Sequence, residues 1–301
     1  MLDLIIIGAG PAGITAAVYA ARKKMDLLVI SKDIGGQAAW SGDIENYTGY
    51  QFITGPELTQ KFSEHIRKYA VNLKEQEVVT DIRKTGGIIL VRTDKGAYEA
   101  KTVIVASGKR SKELGVPGEK EFKNRGLTYC ATCDGPLFSG KAVAVIGGGN
   151  SALDAVLQLA NIASKVYLVN ITLGLTGDAV MRQKVEENRI VQILNNAQVT
   201  AITGDKFVSG LKIKKDDQEE PLSVQGVFVE IGLIPNSDFI QGIEKNKFGE
   251  INVNSRNETS IPGIFAAGDV TDVPEKQIII AAGEGSKAAL SVFRYLAGHK
   301  F

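Results

Sequence analysis

One pattern occurs twice in this chain: an apolar run, a glycine-rich turn, an alanine-rich helical stretch and a second apolar run. The first copy is LIII at 4–7, GAGPAG at 8–13, TAAVYAARKK at 15–24 and LLVI at 27–30. The second is AVAVI at 142–146, GGGNSA at 147–152, LDAVLQLANIAS at 153–164 and VYLV at 166–169. Gly8 aligns with Gly147 and Ile30 with Val169 at the same offset of 139, so the copies match without a gap. Short apolar runs bounded by turns read as fully buried strands, and strand, turn, helix, strand in that order is an α/β nucleotide-binding unit. A lone glycine cluster is a weak signal, because glycines also close ordinary turns; here both clusters follow a strand and open a helix. The first glycine makes the tight turn and the second lets a pyrophosphate approach. The third, Gly13 in one copy and Ala152 in the other, lets the helix pack on the strand. The helix amides then face the phosphates. Positions 31 and 170 close the units, where an acid often holds ribose hydroxyls; this chain has Ser31 and Asn170.

A chain of 301 residues is long enough for one large or two ordinary cores and needs no disulfide staple. A net charge of +1 with no basic run gives no reason to expect a nucleic-acid or anionic-membrane partner. Residues 4–21 are uncharged over about the length of a membrane span, but Asp3 precedes them and Gly8, Gly10, Pro11 and Gly13 interrupt them. We therefore expect a cytoplasmic protein. The two cysteines stand together in TYCATCDGP at 128–136. In a reducing compartment such a pair is redox-active or metal-binding rather than structural. Zinc needs four ligands, and the other candidates, His65 and His299, lie in no ligand-spaced motif, so no metal is expected. A C-x-x-C pair is a compact two-electron carrier, because one thiolate attacks a disulfide and the second thiol resolves the mixed disulfide. Asp134 reads either as a general acid for that exchange or as a turn residue before Gly135-Pro136.

These residues resemble the low-molecular-weight thioredoxin reductases and the flavoprotein component of alkyl hydroperoxide reductase, class II pyridine nucleotide-disulfide oxidoreductases. The resemblance runs through GAGPAG at 8–13, GGQ at 35–37, ENY at 45–47, ASG at 106–108, CATCDG at 130–135, GGGNSA at 147–152, GLIPN at 232–236 and GIFAAGDV at 263–270. It implies two Rossmann-like domains, the second inserted into the first: an FAD domain at 1–112 and 240–301, and a nicotinamide-type domain at 113–239 carrying the cysteines. It also implies that FAD is held by Gly8, Gly10, Pro11, Ala12, Gly13, Gly35, Gly36, Gln37, Asn46, Ala106, Ser107, Gly108, Gly268, Asp269, Gln277 and Ile278. Gly147, Gly149, Asn150, Ser151 and Asn170 would serve the nicotinamide nucleotide. Cys133 would lie nearest the flavin, Cys130 would attack a thioredoxin-like or glutaredoxin-like protein disulfide, and Asp134 would move the proton. A homodimer is implied by the family alone.

The sequence departs from that family where the electron donor should bind. NADPH-using members carry a basic stretch after the second unit's last strand, since guanidinium forks pair with the ribose 2′-phosphate. Here VNITLGLTGDAVMRQK at 169–184 has no basic residue before Arg182, so poor NADPH use is expected. NADH is the next candidate, although Asn170 replaces the acid found in the hydroperoxide reductase branch. The third is a non-nicotinamide donor such as reduced ferredoxin. A ferredoxin- or flavodoxin-NAD(P) reductase would share the architecture but lack CATC. A nucleotide-sensing or zinc-holding interaction protein would be colourless.

Overall fold

The computed structural model of the chain describes residues 1–299 other than Gly42 and Asp217; the side chains of Trp40, Asp43 and Cys133 also lie outside that description. The chain divides into two compact units, Met1–Arg110 with Ile234 onward, and Ser111–Leu233. It passes between them along two short strands, Lys109–Ser111 and Leu233–Pro235, which pair with each other. The return crossing falls at 233/234 rather than at the 239/240 boundary read from the sequence. The reason is packing: Ile240 is buried in the first unit's core, and Ile82 N–H bonds the Phe239 carbonyl at 3.1 Å.

In the first unit, strand Leu2–Ala9 lies parallel between Leu27–Ile34 and Ala97–Val105. The last strand forks, pairing antiparallel with Ile88–Thr93 through its first half and parallel with Ile264–Ala266 through its second. Both faces of the sheet are covered, which is why its strands are continuous apolar runs rather than alternating ones. Leu4 and Ile6 join the core under helices Pro11–Arg22 and Ile278–Gly298, while Ile5 and Ile7 join the opposite core with Ile89, Ile240 and Ile251.

The second unit is built the same way around a five-stranded parallel sheet, in the order Leu127–Thr128, Gly226–Val229, Ala142–Ile146, Lys165–Val169, Val191–Leu194. Helix Asn150–Leu159 covers one face through Val143 and Val145; the three-stranded antiparallel sheet Gln198–Gly204, Val208–Lys215 and Gln218–Ser223 covers the other through Ala144 and Ile146. The helix stops at Leu159, short of the 153–164 stretch read from the sequence. Beyond it the chain turns, and the Ile162 carbonyl accepts the Gly140 amide at 2.8 Å. The offset of 139 survives in the hydrogen-bonded register: Leu4 pairs with Leu27 and Ile7 with Ile30, as Val143 pairs with Val166 and Ile146 with Val169.

Candidate functional site

The two glycine turns are the first element of the site. Gly8 has φ +105° and Gly147 φ +141°, both in the region that favours glycine. Each turn feeds a helix whose first amides have no side-chain cap and no acid in the first turn: Gly10 precedes Pro11–Arg22, and Gly149 precedes Asn150–Leu159. Free amides and the positive end of the helix dipole suit a phosphate. A Cβ on Gly10 would have nothing nearer than the Gly35 carbonyl at 3.8 Å, so its side is kept open rather than packed. Gly13 differs, since a Cβ there would overlap the Gly8 carbonyl.

The residues at the ribose positions are turned inward. Ser31 is buried, accepts the Ala9 amide at 3.0 Å and donates to the Asp33 carbonyl at 2.6 Å. Asn170, 3% exposed, donates through Nδ2 to the carbonyls of Thr172 (3.2 Å) and Gly174 (3.1 Å) and to Asn195 Oδ1 (2.9 Å). Its Oδ1 accepts from Thr172 N and Oγ1 at 3.4 and 3.0 Å. The Asn170 amide thereby organises the loop after its own strand. That loop then docks on the glycine turn, with the Thr176 and Gly177 amides on the Gly148 carbonyl at 2.7 and 3.2 Å. Asn150 Oδ1 accepts the Asp178 amide at 2.7 Å, and the Ser151 side chain is exposed.

Residues distant in the first unit's sequence converge. Asn46 Nδ2 donates to Gln277 Oε1 at 3.1 Å, and Gln37 Nε2 to the Lys109 carbonyl at 3.4 Å. Ser107 and Asn236 are locked together: Ser107 Oγ donates to the Asn236 carbonyl at 2.6 Å, and Asn236 Nδ2 to the Ser107 carbonyl at 2.9 Å. Asp269 follows Gly268, whose φ is +77°. Burial pushes its carboxyl above the usual range, Lys276 and Lys109 oppose that, and Glu250 adds to it. Glu250 is held at about 2: burial works against ionisation, but hydrogen bonds from Lys109, Asn246 and Lys276 outweigh it. Lys109, Glu250 and Lys276 were missed from sequence, because lysines and glutamates at such spacings also read as solvated surface.

In the second unit Cys130 is half-buried and engaged in a disulfide. The chain's other cysteine, Cys133, lies in the single helical turn Ala131–Asp134, its side chain outside the described residues. Thr128 ties this turn together. Its hydroxyl accepts the Cys130 amide at 3.2 Å and donates to the Asp134 carboxylate. Thr132 Oγ1 donates to Gln158 Oε1 at 2.8 Å, and Gln158 Nε2 to Asp154 Oδ2 at 2.7 Å. Phe138, just beyond the turn, packs edge-on against Phe228 at 5.2 Å and anchors the segment to the sheet. Burial pushes the carboxyl of Glu230, the residue after strand Gly226–Val229, up to about 7, with the Ala131 backbone opposing and Asp154 reinforcing. A carboxylate closing the apolar run GVFVE was the signal available in sequence. Among the described residues no group of three or more His, Cys, Asp or Glu could hold a metal, and no helix is long and apolar enough to cross a membrane.

A protein-family model, pyridine nucleotide-disulphide oxidoreductase, matches residues 2–285. The chain belongs to this family. The F component of the Pseudomonas putida alkyl hydroperoxide reductase is 44% identical over 98% of this chain and 58% of that protein. A Bacillus subtilis protein named NADH dehydrogenase is 40% identical, again over 98% of this chain and 58% of that one. The chain thus spans somewhat over half the length of the curated relatives it matches. The solved thioredoxin reductase of Lactococcus lactis superposes with TM-score 0.89 at 33% identity, covering 99% of this chain and 100% of that one.

The pyridine nucleotide-disulphide oxidoreductases of this kind are flavoproteins, and FAD is the cofactor they carry. The first unit fits such a group: an uncapped helix start, an open side at Gly10, and left-handed Gly35 and Gly36 (φ +92° and +54°) bring bare backbone to one place. Asp269 and the Asn46–Gln277 pair supply acceptors and donors suited to a polyhydroxylated chain and a flavin ring.

Proposed function

We propose that the chain is a thioredoxin reductase-like enzyme. FAD held in the first unit would supply the two-electron chemistry by which NADH reduces a Cys130–Cys133 disulfide, which would in turn reduce a thioredoxin-like or glutaredoxin-like protein disulfide. The observation that supports it most is disulfide-engaged Cys130, whose amide shares the Thr128 hydroxyl with the Asp134 carboxylate, in the unit that holds the second glycine turn. FAD, when bound, supplies the two-electron chemistry between a donor and a disulfide. Gly8, Gly10, Pro11, Ala12 and Gly13 would seat its pyrophosphate, and Gly35, Gly36, Gln37, Asn46, Gly268, Asp269, Gln277 and Ile278 its ribityl chain and ring, beside Ala106, Ser107 and Gly108.

Once the disulfide is opened, the Cys130 thiolate attacks a sulfur of the partner's disulfide, the partner's other sulfur leaving as a thiolate. Cys133 then attacks the mixed disulfide, restoring the internal bond and releasing the second partner thiolate. Asp134 would take up a proton from solvent and pass it to a departing sulfur, its side chain held in place by Thr128.

The NADH assignment draws on the printed name of the Bacillus relative and on the absence of basic residues between 169 and 182. The inward-facing Asn170 favours a second reading, a protein donor such as reduced ferredoxin, because that position offers no free acceptor to a ribose. Anaerobic titration of the flavin absorbance separates them. Bleaching by NADH and not NADPH supports the first reading. No bleaching by either, with dithionite still effective, excludes it and calls for ferredoxin. Cys130→Ser should keep its flavin and lose protein-disulfide reduction at least about a hundredfold; retained turnover would end the relay assignment.

A further inference from the structure

Glu250 is not among the positions expected to touch a flavin, yet three chain segments meet on its side chain. Oxygen Oε1 accepts from Lys109 Nζ at 2.8 Å and from Lys276 Nζ at 3.1 Å, while Oε2 accepts from Asn246 Nδ2 at 2.6 Å. The group is shielded from water: Glu250 is 9% exposed, and the side chains of Lys109 and Lys276 are 12% and 22% exposed. A turn of its own fixes the carboxylate, with Asn246 Oδ1 accepting the Glu250 amide at 3.1 Å and the Glu250 carbonyl accepting the Asn246 amide at 2.9 Å. The next residue, Ile251, brackets the loop after Gly268. Its amide donates to the Val270 carbonyl at 2.9 Å, and its carbonyl accepts the Asp272 amide at 3.0 Å.

Each lysine leads within one residue to the flavin site proposed above. The Lys109 carbonyl accepts Gln37 Nε2 at 3.4 Å. Lys276 precedes Gln277, whose Oε1 accepts Asn46 Nδ2 at 3.1 Å. Lys276 Nζ also closes the loop behind Asp269 by donating to the Thr271 carbonyl at 2.5 Å, and Thr271 Oγ1 donates to the Gly268 carbonyl at 2.8 Å. Two ammoniums share one oxygen, so they stay together only while that oxygen carries charge. An uncharged acceptor leaves two like charges facing each other in a shielded place; each lysine then swings toward water and takes its neighbours along.

We propose that Glu250 is a positioning residue for the flavin end of FAD: by clamping Lys109 and Lys276 it sets Gln37 and the Asn46–Gln277 pair against the ring. It leaves the adenine end to the glycine turn at Gly8–Gly13. The assignment of Gln37, Asn46 and Gln277 to the flavin is the reading proposed above, on which this clamp depends; the cysteine relay does not enter.

The test uses the full chain loaded with FAD. Release of FAD on dilution, followed by recovery of flavin fluorescence, gives its dissociation constant, and displacement of FAD by ADP gives that of the adenine end. Glu250→Gln keeps the shape and loses the charge; it should weaken FAD about tenfold or more and leave the ADP constant unchanged. Lys276→Met should also weaken FAD, and the double variant by less than the product of the two single effects, because both cut one clamp. A double variant showing the full product overturns that shared clamp. A merely structural Glu250 would lower thermal stability and leave both constants in place, or shift FAD and ADP alike; either result overturns the proposal. If Glu250→Gln does not fold, Lys276→Met decides, and an FAD constant equal to that of wild type overturns it. Wild type that takes up no FAD ends the flavin reading and the clamp with it, whereas wild type that binds FAD no better than Glu250→Gln ends the clamp alone.

Discussion

The two glycine turns are built on one plan and differ in how tightly they close. In the first, Gly13 has no Cβ because the Gly8 carbonyl occupies that space. In the second the same position is Ala152, and the turn has opened, φ rising from +105° at Gly8 to +141° at Gly147. A Cβ on Gly147 would lie 3.0 Å from that of Ala152. The segments after the second strand diverge too. Gly35 donates to the Ala9 carbonyl at 2.7 Å and leads into the glycine pair that would face the flavin. The equivalent carbonyl, Gly148, receives Thr176 and Gly177, from a loop held by Asn170 that exposes Ile171 and Leu173. The fold has thus kept a closed, glycine-rich cradle in one copy and a looser, self-satisfied loop in the other. A tightly held cofactor needs the former, whereas an exchanging or lost ligand tolerates the latter.

The sharpest way to break this comparison is to exchange the third residue of the turns. Gly13→Ala forces a methyl into the Gly8 carbonyl and should cost about 3 kcal/mol or more, with loss of bound FAD. Ala152→Gly should cost about 1 kcal/mol by helix propensity and leave flavin content unchanged. Urea midpoints with flavin absorbance measure both; equal losses would show that the turns do not differ.

A comparable effect comes from pH. The Glu230 carboxyl is raised in the fold to about 7 from an ordinary 4.5, so the unfolded chain releases its proton first as pH rises. Stability is fully present below about pH 4.5 and falls through about pH 7, by up to about 3 kcal/mol. Glu250, held at about 2 beside Lys109 and Lys276, has the opposite sign: its contribution is present above about pH 4.5 and is lost as pH falls toward 2. Denaturation across pH should show the acid-side loss in both wild type and Glu230→Gln, and the neutral-side loss in wild type only.

A smaller effect than either of these is expected of Asn170→Asp, which installs the acid usually found at the ribose position. It removes donors from Thr172, Gly174 and Asn195 and sets a charge against their oxygens, at about 2 kcal/mol. NADH should bind no better. Tighter NADH binding at unchanged stability would show that position 170 faces the nucleotide after all.

Much of this site was legible in the residues. The repeat of 139 appeared as an alignment of glycines and reappeared as sheet register, because apolar runs, turns and helices are local patterns with local causes. CATCDG announced a thiol pair for the same reason. Position 170 was legible as an asparagine but not as an inward-facing one, since its partners Thr172, Gly174 and Asn195 take up their places only when the loop closes.

By itself, then, the sequence determined two α/β units with glycine turns and one cysteine pair, all set by spacing over a few residues. Tertiary structure decided what no spacing contains. It gathered Lys109, Glu250, Lys276 and Asp269 in one charged cluster and, by burial, raised the Glu230 carboxyl above its ordinary range. It also gave the second turn its looser closure. Charges and hydrogen bonds act through space, and their energies follow from burial and partner geometry, which exist only once the sheets have formed.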